Sequence, residues 1–371
     1  MKKILVCGGG GIGEAVVILI AKKFDGDCEI IVSDGKISTL NSLKGKLDES
    51  GLDKNILFYQ VDFNYSLERI FSSYDFIFDC LPGNFAPIVA KFAIDTRSNY
   101  INLTEYVVET NMIKVLDHGE ACGLVLQSGV APGFVNLLGL HLKMEVETMH
   151  QEFSFETMEM KVGALPVHAS APHFYAFTWS PIGVATEYIK PAVALLHGEI
   201  EEVASLSNIQ ELVISGLRYE STYTSGGVAD LADSLKGTFK NVNYQTMRYP
   251  GHFAWVKDVI EKQSIIEPLD LFSYMSKYIP HVDEDFVLVY ASVDGHDRNG
   301  RFIKHERAMR VNSSCINGLK LKAIQISTAI PMIITACSVF ESGRKGLILQ
   351  SQLDCQAIMA DDMLKEYFVE V

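Results

Sequence analysis

The sequence predicts an α/β fold, a doubly wound parallel sheet followed by a second, α+β domain, and three observations carry that expectation. Short apolar runs alternate with helix-spaced stretches over the first 135 residues. A glycine-rich turn, Gly8 to Gly13, follows the first apolar run with no gap. From about Leu140 the rhythm gives way to short segments rich in Thr, Val, Phe and Tyr. A chain of 371 residues also exceeds one ordinary core. The expected division is 1–138, 139–318 and a C-terminal return to the first domain over 319–371.

The first element is the strand Ile4-Leu5-Val6, and the helix Ile12 to Lys23 follows the glycines. Strand, glycine turn and helix form a Rossmann-type βα unit. Gly8 allows the tight turn, Gly10 and Gly11 let backbone approach a pyrophosphate, and Gly13 lets helix lie on strand. The helix N-terminus, at Gly11, Ile12 and Gly13, offers N–H groups and a positive dipole end to phosphate. A second strand, Glu29 to Val32, ends in Ser33-Asp34, 21 residues past Gly13 (34 − 13 = 21). Asp34 at that place accepts hydrogen bonds from ribose hydroxyls and favours NAD. Ser33 and Lys36 leave NADP open.

The segment from Lys36 to Lys54 shows helical spacing at Leu40, Leu43 and Leu47, and Ile56 to Asp62 reads as the third strand. Asp75 to Cys80 is the fourth, followed by Leu81-Pro82-Gly83. A helix from Pro87 to Thr96, a strand from Tyr100 to Leu103, a helix through Ala121 and a strand from Leu124 to Gln127 complete the alternation. Ligands of such sheets bind past the carboxyl ends of the strands. That rule adds Asp62, Phe63, Leu81, Pro82 and Gly83 to the cofactor residues and puts Thr104 and Glu105 on the substrate side. Glu105 reads either as a partner for an ammonium group or as a helix-start charge. In the second domain, strands are expected at Gln151 to Phe155, Glu211 to Ile214, Lys240 to Tyr249 and Asp285 to Val293.

The formal charge of −14 argues against nucleic acid as a partner. Seven dispersed cysteines without a CxxC pair suit a reducing, cytoplasmic setting. The N-terminus runs straight into a strand, so no targeting segment is expected. Ala323 to Phe340 carries no charge over 18 residues. Its Gln325, Ser327, Thr328, Thr335 and central Pro331 favour a buried core helix over a membrane span. No metal is expected: there is no HExxH, and His168 and His173 sit on a Pro- and Ala-rich loop.

Further phrases carry a resemblance. Gly129 to Asn136 reads G-V-A-P-G-F-V-N, Gly163 to Pro166 reads G-A-L-P, Phe177 to Gly183 reads F-T-W-S-P-I-G, and Met247 to His252 reads M-R-Y-P-G-H. Together they resemble the saccharopine dehydrogenase-like family, which includes saccharopine reductases, lysine 6-dehydrogenases and carboxynorspermidine synthases. Ile326 to Pro331 is loosely similar to the family's returning helix. The resemblance implies NAD(P)-dependent hydride transfer at a C–N bond of an amino acid or secondary amine, in a homodimer, with a proton donor or acceptor placed by the protein. Lysine 6-dehydrogenase activity is the nearest enzymatic alternative, and a non-catalytic NAD(P)-binding redox sensor is the other.

On this footing Arg248 grips a substrate carboxylate or forms a structural ion pair. Tyr249 stands beside it in the same motif as a substrate contact. His252 transfers a proton near neutrality or caps a turn. Trp179 lines an aliphatic chain or fills core, and Asn136 meets substrate or caps a helix. Cys80 reads as a buried thiol. Ile182 stands where saccharopine reductases carry an arginine for a second carboxylate, which tilts the expectation toward a substrate with fewer carboxylates.

Overall fold

The protein is described from a computed structural model that covers residues 1–65, 67–105, 107–116 and 122–371. Two compact units divide the chain. The first holds residues 1–133, 314–321 and 325–364; the second holds 134–313, 322–324 and 365–371. The boundaries expected at 138 and 318 therefore each move about five residues toward the N-terminus. Phe134 already opens a helix of the second unit, and the hairpin starting at Ser314 belongs to the first.

The first unit begins β1 (Lys2–Cys7), α1 (Gly11–Phe24), β2 (Cys28–Asp34), α2 (Ile37–Ser50), β3 (Ile56–Gln60), β4 (Phe76–Asp79), α3 (Ala86–Thr96), β5 (Asn99–Asn102), α4 (Val107–Lys114) and β6 (Gly123–Val125). The central strands β1, β2 and β4 carry apolar runs buried on both faces, as interior parallel strands are, while the edge strand β3 is only partly buried. On α2 the buried residues are Leu40, Leu43 and Leu47, the three that the spacing picks out. The helix expected to run through Ala121 is α4, which ends at Lys114; residues 117–121 lie outside the described set.

The second unit holds α5 (Phe134–Met149), β7 (Ser154–Pro166), α6 (Pro181–Ile189), β8 (Ala192–Leu196), β9 (Glu199–Val203), β10 (Gln210–Ile214), β11 (Leu217–Tyr223), α7 (Leu231–Ser234), β12 (Asn241–Arg248), α8 (His252–Gln263), α9 (Pro268–Tyr278), β13 (Asp285–His296) and β14 (Phe302–Asn312). Its mixed sheet runs β10-β11-β12-β7-β13-β14, and β8 pairs with β12 and β9. The strand expected at Gln151 to Phe155 instead starts at Ser154 and continues to Pro166. Sequence alternation underplays it because it is central. β12 pairs with it in parallel and β13 antiparallel, so backbone bonding on both edges holds Gly163 and Lys161 in the strand. Gly139 on α5 lets this helix lie close to the sheet, where a Cβ would stand 3.0 Å from the Met158 sulfur.

The tail adds β15 (Ser314–Ile316), β16 (Leu319–Leu321), α10 (Ala323–Ser342), β17 (Gly346–Ile348), α11 (Cys355–Ala360), α12 (Asp362–Tyr367) and β18 (Val369–Glu370). β17 completes the first unit's parallel sheet, ordered β17-β6-β5-β4-β1-β2-β3, and β18 adds to β14. The order reverses between β1 and β4, the switch point where such sheets bind ligands. Among the described residues α10 is the one helix long and apolar enough to cross a membrane, and 72% of its apolar window is buried inside the protein. Most of it belongs to the first unit, where Gln325 donates to the Gly11 carbonyl (2.7 Å) and Phe340 packs on Phe76.

Replacing Leu43→Ala removes a side chain buried against β2 and β3 and should cost about 2–5 kcal/mol. Thermal melting checks it: the first transition should fall by several degrees, and an unchanged melt contradicts the core assignment.

Candidate functional site

The glycine turn is built by close approach. Gly8 has φ +97°, and a Cβ on it would lie 2.9 Å from the Cys80 carbonyl oxygen. A Cβ on Gly13 would lie 1.7 Å from the Gly8 carbonyl oxygen, inside any contact distance. Gly10 has nothing within 4 Å of its Cβ position, and as the residue before α1 it provides no side-chain cap. Among the described residues no side chain caps this helix start, so its first N–H groups are open to water or a ligand. Asp34, at the carboxyl end of β2, accepts from the Gly9 N–H and the Lys36 N–H, each at 2.8 Å. Each carboxylate oxygen keeps a lone pair for a further donor. A cradle without Cβ atoms, an uncapped helix start and an acid beside it fit a dinucleotide.

The remaining expected cofactor residues divide. Leu81 and Gly83 are half-buried and Pro82 exposed, in the turn after β4, where the Phe85 N–H closes on the Pro82 carbonyl (2.9 Å). Asp62 is exposed, accepting from the Asn64 N–H (3.0 Å). Phe63 is corrected: it is buried in the first unit's core, edge-on to Phe85 at 6.2 Å. As the apolar residue after a strand, it lowers its free energy more inside than at an open crevice. Thr104 is buried and Glu105 half-buried in the loop between β5 and α4, at the carboxyl edge of the sheet.

In the second unit, the motif Met247 to His252 spans the end of β12 and the start of α8, and it encloses charge. The Arg248 guanidinium is 1% exposed. Its Nε donates to the Tyr188 hydroxyl (2.8 Å), its Nη1 to the Met247 carbonyl (2.9 Å), and Nη2 lies 3.6 Å from Glu187 Oε2. The rings of Tyr175 and Tyr188 flank it at 4.7 and 5.7 Å. Of the two readings of Arg248, the geometry is that of the internal ion pair, closed to a carboxylate arriving from solvent. Burial pushes the Glu187 carboxyl above the usual range, against the pull of Arg248.

His252 is likewise fully buried, with Nδ1 2.6 Å from the His173 carbonyl oxygen. That contact makes Nδ1 the donor and leaves Nε2 to accept from the Tyr188 hydroxyl at 3.0 Å. A chain of donors thus runs from Arg248 through Tyr188 to His252 and on to the backbone. Burial, then the Arg248 charge, lowers the His252 pKa to about 3. The near-neutral proton carrier expected there is corrected: this imidazole is neutral and both its nitrogens are engaged.

Asn136 is also inward, donating to the carbonyls of Gly227 (2.9 Å) and Val228 (3.2 Å), so it ties a loop and meets no ligand surface. Trp179 is half-buried over Gly183, where a Cβ would come within 2.5 Å of its ring. Tyr249, with Pro250, is the part of the motif that reaches an opening. Its hydroxyl donates to the Pro166 carbonyl (3.1 Å), and it lines a cleft of about 410 Å³ with Val167, His168, Ala169, Phe174 and Pro250.

Sequence reading did not single out Asp79, Glu187 or Tyr188. The available signal was an acid inside an apolar element: Asp79 closes Phe76-Ile77-Phe78, and Glu187 sits within Val184 to Ile189. In the unfolded chain His252 takes up a proton near pH 6.5, whereas the folded protein resists down to about pH 3. The unfolded state holds more protons across that window, so stability falls as the pH drops through it. The melting-temperature gap between the unaltered protein and His252→Asn should narrow from neutral toward acid pH. A gap independent of pH would contradict the neutral, buried imidazole.

Comparison with known proteins covers both units. Residues 4–124 match the saccharopine dehydrogenase NADP binding domain and residues 129–367 the saccharopine dehydrogenase C-terminal domain. The mitochondrial alpha-aminoadipic semialdehyde synthase of Rattus norvegicus is 24% identical over 204 residues, 54% of this chain and 21% of that protein. Its Bos taurus counterpart is 27% identical over 207 residues, with the same coverage. The match takes in about a fifth of the length of these relatives. Among solved structures, the apo saccharopine dehydrogenase (L-Glu forming) of Saccharomyces cerevisiae superposes with a TM-score of 0.76 at 15% identity, covering 100% of this chain and 99% of that one. The homospermidine synthase of Legionella pneumophila, in complex with NAD, gives 0.67 at 13%, covering 100% and 91%. These likenesses show the fold, and the two family matches, the second spanning well over half of the chain, show that the protein belongs to the saccharopine dehydrogenase family.

Proposed function

We propose that the protein is an NAD(P)-dependent oxidoreductase acting on the C–N bond of an amino acid or secondary amine. The observation that carries the reading is the Gly8–Gly13 cradle, set beside Asp34 in a domain of the family's NADP-binding type. When bound, the nicotinamide supplies the hydride acceptor or donor for the carbon of that bond.

The chain's own residues hold the parts. The first turn of α1 receives the pyrophosphate, and Asp34 takes the ribose hydroxyls with its remaining lone pairs, which favours NAD over a cofactor with a further phosphate there. Leu81, Pro82 and Gly83 wall the crevice at the switch point. Glu105 and Thr104, past β5, meet the substrate's ammonium end. Within the second unit, Tyr249 and the cleft around Phe174 offer a largely apolar surface suited to an aliphatic chain. Arg248 serves from behind that cleft, holding Tyr188 and His252 fixed within the second unit. Ile182 on α6 brings no charge for a second carboxylate, which supports a substrate with fewer of them. Seven free thiols support a reducing, cytoplasmic setting. A homodimer through the second unit belongs to this reading, with the exposed Phe302 of β14 among the surfaces it would cover; light scattering tests it.

Purified protein given NAD or NADP with saccharopine, lysine or a panel of secondary amines should produce reduced cofactor, read by absorbance. Lysine alone as substrate would favour the lysine 6-dehydrogenase alternative. Cofactor binding without turnover on the whole panel would favour a sensor. Asp34→Ala should weaken NAD binding about tenfold and narrow its advantage over NADP. Unchanged selectivity would contradict the role given to Asp34.

A further inference from the structure

Asp79 is the last residue of β4, at the switch point, and only 3% exposed. Its Oδ1 accepts from the Leu81 N–H (3.1 Å), and its Oδ2 from the Tyr100 hydroxyl (2.8 Å). The same hydroxyl stands 3.2 Å from the carbonyl oxygen of Ala86, the first residue of α3. One carboxyl therefore connects the turn after β4, the neighbouring strand β5 and the start of α3. Its chain neighbour Cys80 supplies the backbone on which Gly8 closes, and the Cys80 N–H donates to the Cys7 carbonyl (2.8 Å). Among the described residues no ion-pair partner faces Asp79. The titratable groups around it are Cys7 on β1, Cys80 and Tyr100 on β5, each held neutral by burial.

We propose that Asp79 is a positioning residue of the dinucleotide site, holding the Leu81–Pro82–Gly83 turn in place through Leu81 and Tyr100. The inference rests on the cofactor reading above and adds a regulation to it. Burial raises the Asp79 pKa to about 7, with the two hydrogen bonds pulling the other way. Below that pH the carboxyl is neutral. Its proton then goes to the Tyr100 oxygen, and the Tyr100 proton turns to the Ala86 carbonyl. Above it, Tyr100 donates to the carboxylate instead. The Leu81 contact persists in both states, but the ionised one places a negative charge beside the turn that receives an anionic dinucleotide. Dinucleotide affinity therefore falls as the pH rises through about 7, and binding takes up a proton.

Titration of the full chain with NADH and NADPH, read by nucleotide fluorescence from about pH 6 to about pH 8.5, tests this. The unaltered protein should lose affinity several-fold across that range. Asp79→Asn keeps an acceptor for Leu81 and a donor for Tyr100, so it should match the unaltered protein at about pH 6 and stay level above it. Asp79→Ala, which keeps neither contact, should bind about tenfold more weakly at every pH. The inference is overturned if Asp79→Asn follows the pH course of the unaltered protein, or if Asp79→Ala binds as tightly as it does. No binding of either nucleotide by the unaltered protein would overturn the cofactor reading itself, and this inference with it.

Discussion

The Gly13 Cα lies so close to the Gly8 carbonyl that one added carbon would stand 1.7 Å from it, and the first unit is organised around that approach. Because helix α1 can lie flat on β1, its first turn opens at the carboxyl edge of the sheet with free N–H groups. The same turn brings the Gly9 N–H onto Asp34 and sets Gly8 on the Cys80 backbone. Three strands, β1, β2 and β4, are thereby locked at the place where their order reverses. The anion-binding end of a helix and the topological switch point coincide there, which is why a cofactor rather than a structural turn follows from the geometry.

The second unit depends on a different constraint. A buried guanidinium cannot shed its charge, so every donor must be met and the charge offset. The Tyr188 hydroxyl and the Met247 carbonyl accept from it, Glu187 stands 3.6 Å away as the counter-charge, and the Tyr175 ring covers it. His252 stays neutral because burial, and then the Arg248 charge, disfavours a second cation there. Removing one partner of such a pair costs far more than the pair contributes net. Residues whose types suggest chemistry are here the frame behind the cleft, and Tyr249 is what that frame presents to it.

Much of the first unit was legible because parallel strands are apolar throughout and their helices carry a clear spacing, as Leu40, Leu43 and Leu47 do. The second unit was less so. β7 mixes Glu, Met, Lys and Gly because both its edges are paired, and no period survives that context. The site was legible where backbone geometry demands glycine, and at Asp34, whose place follows from strand length. It was not legible where burial decides a role. Phe63, Asn136, Arg248 and His252 have side chains that suit a surface site or an interior one equally, and only packing distinguishes them. Asp79 and Glu187 escaped notice because an acid is seldom expected inside an apolar element.

The most direct measurement of the central claim is nucleotide binding by Gly13→Ala beside Gly10→Ala. The Gly10 site is open, so that variant should keep the fold and the melting temperature, while its Cβ enters the space held for the pyrophosphate and weakens NADH or NADPH binding. Gly13→Ala must push α1 away from β1 and should lose binding altogether, with a lower melting temperature. Binding by Gly13→Ala equal to that of the unaltered protein would contradict the account of the cradle.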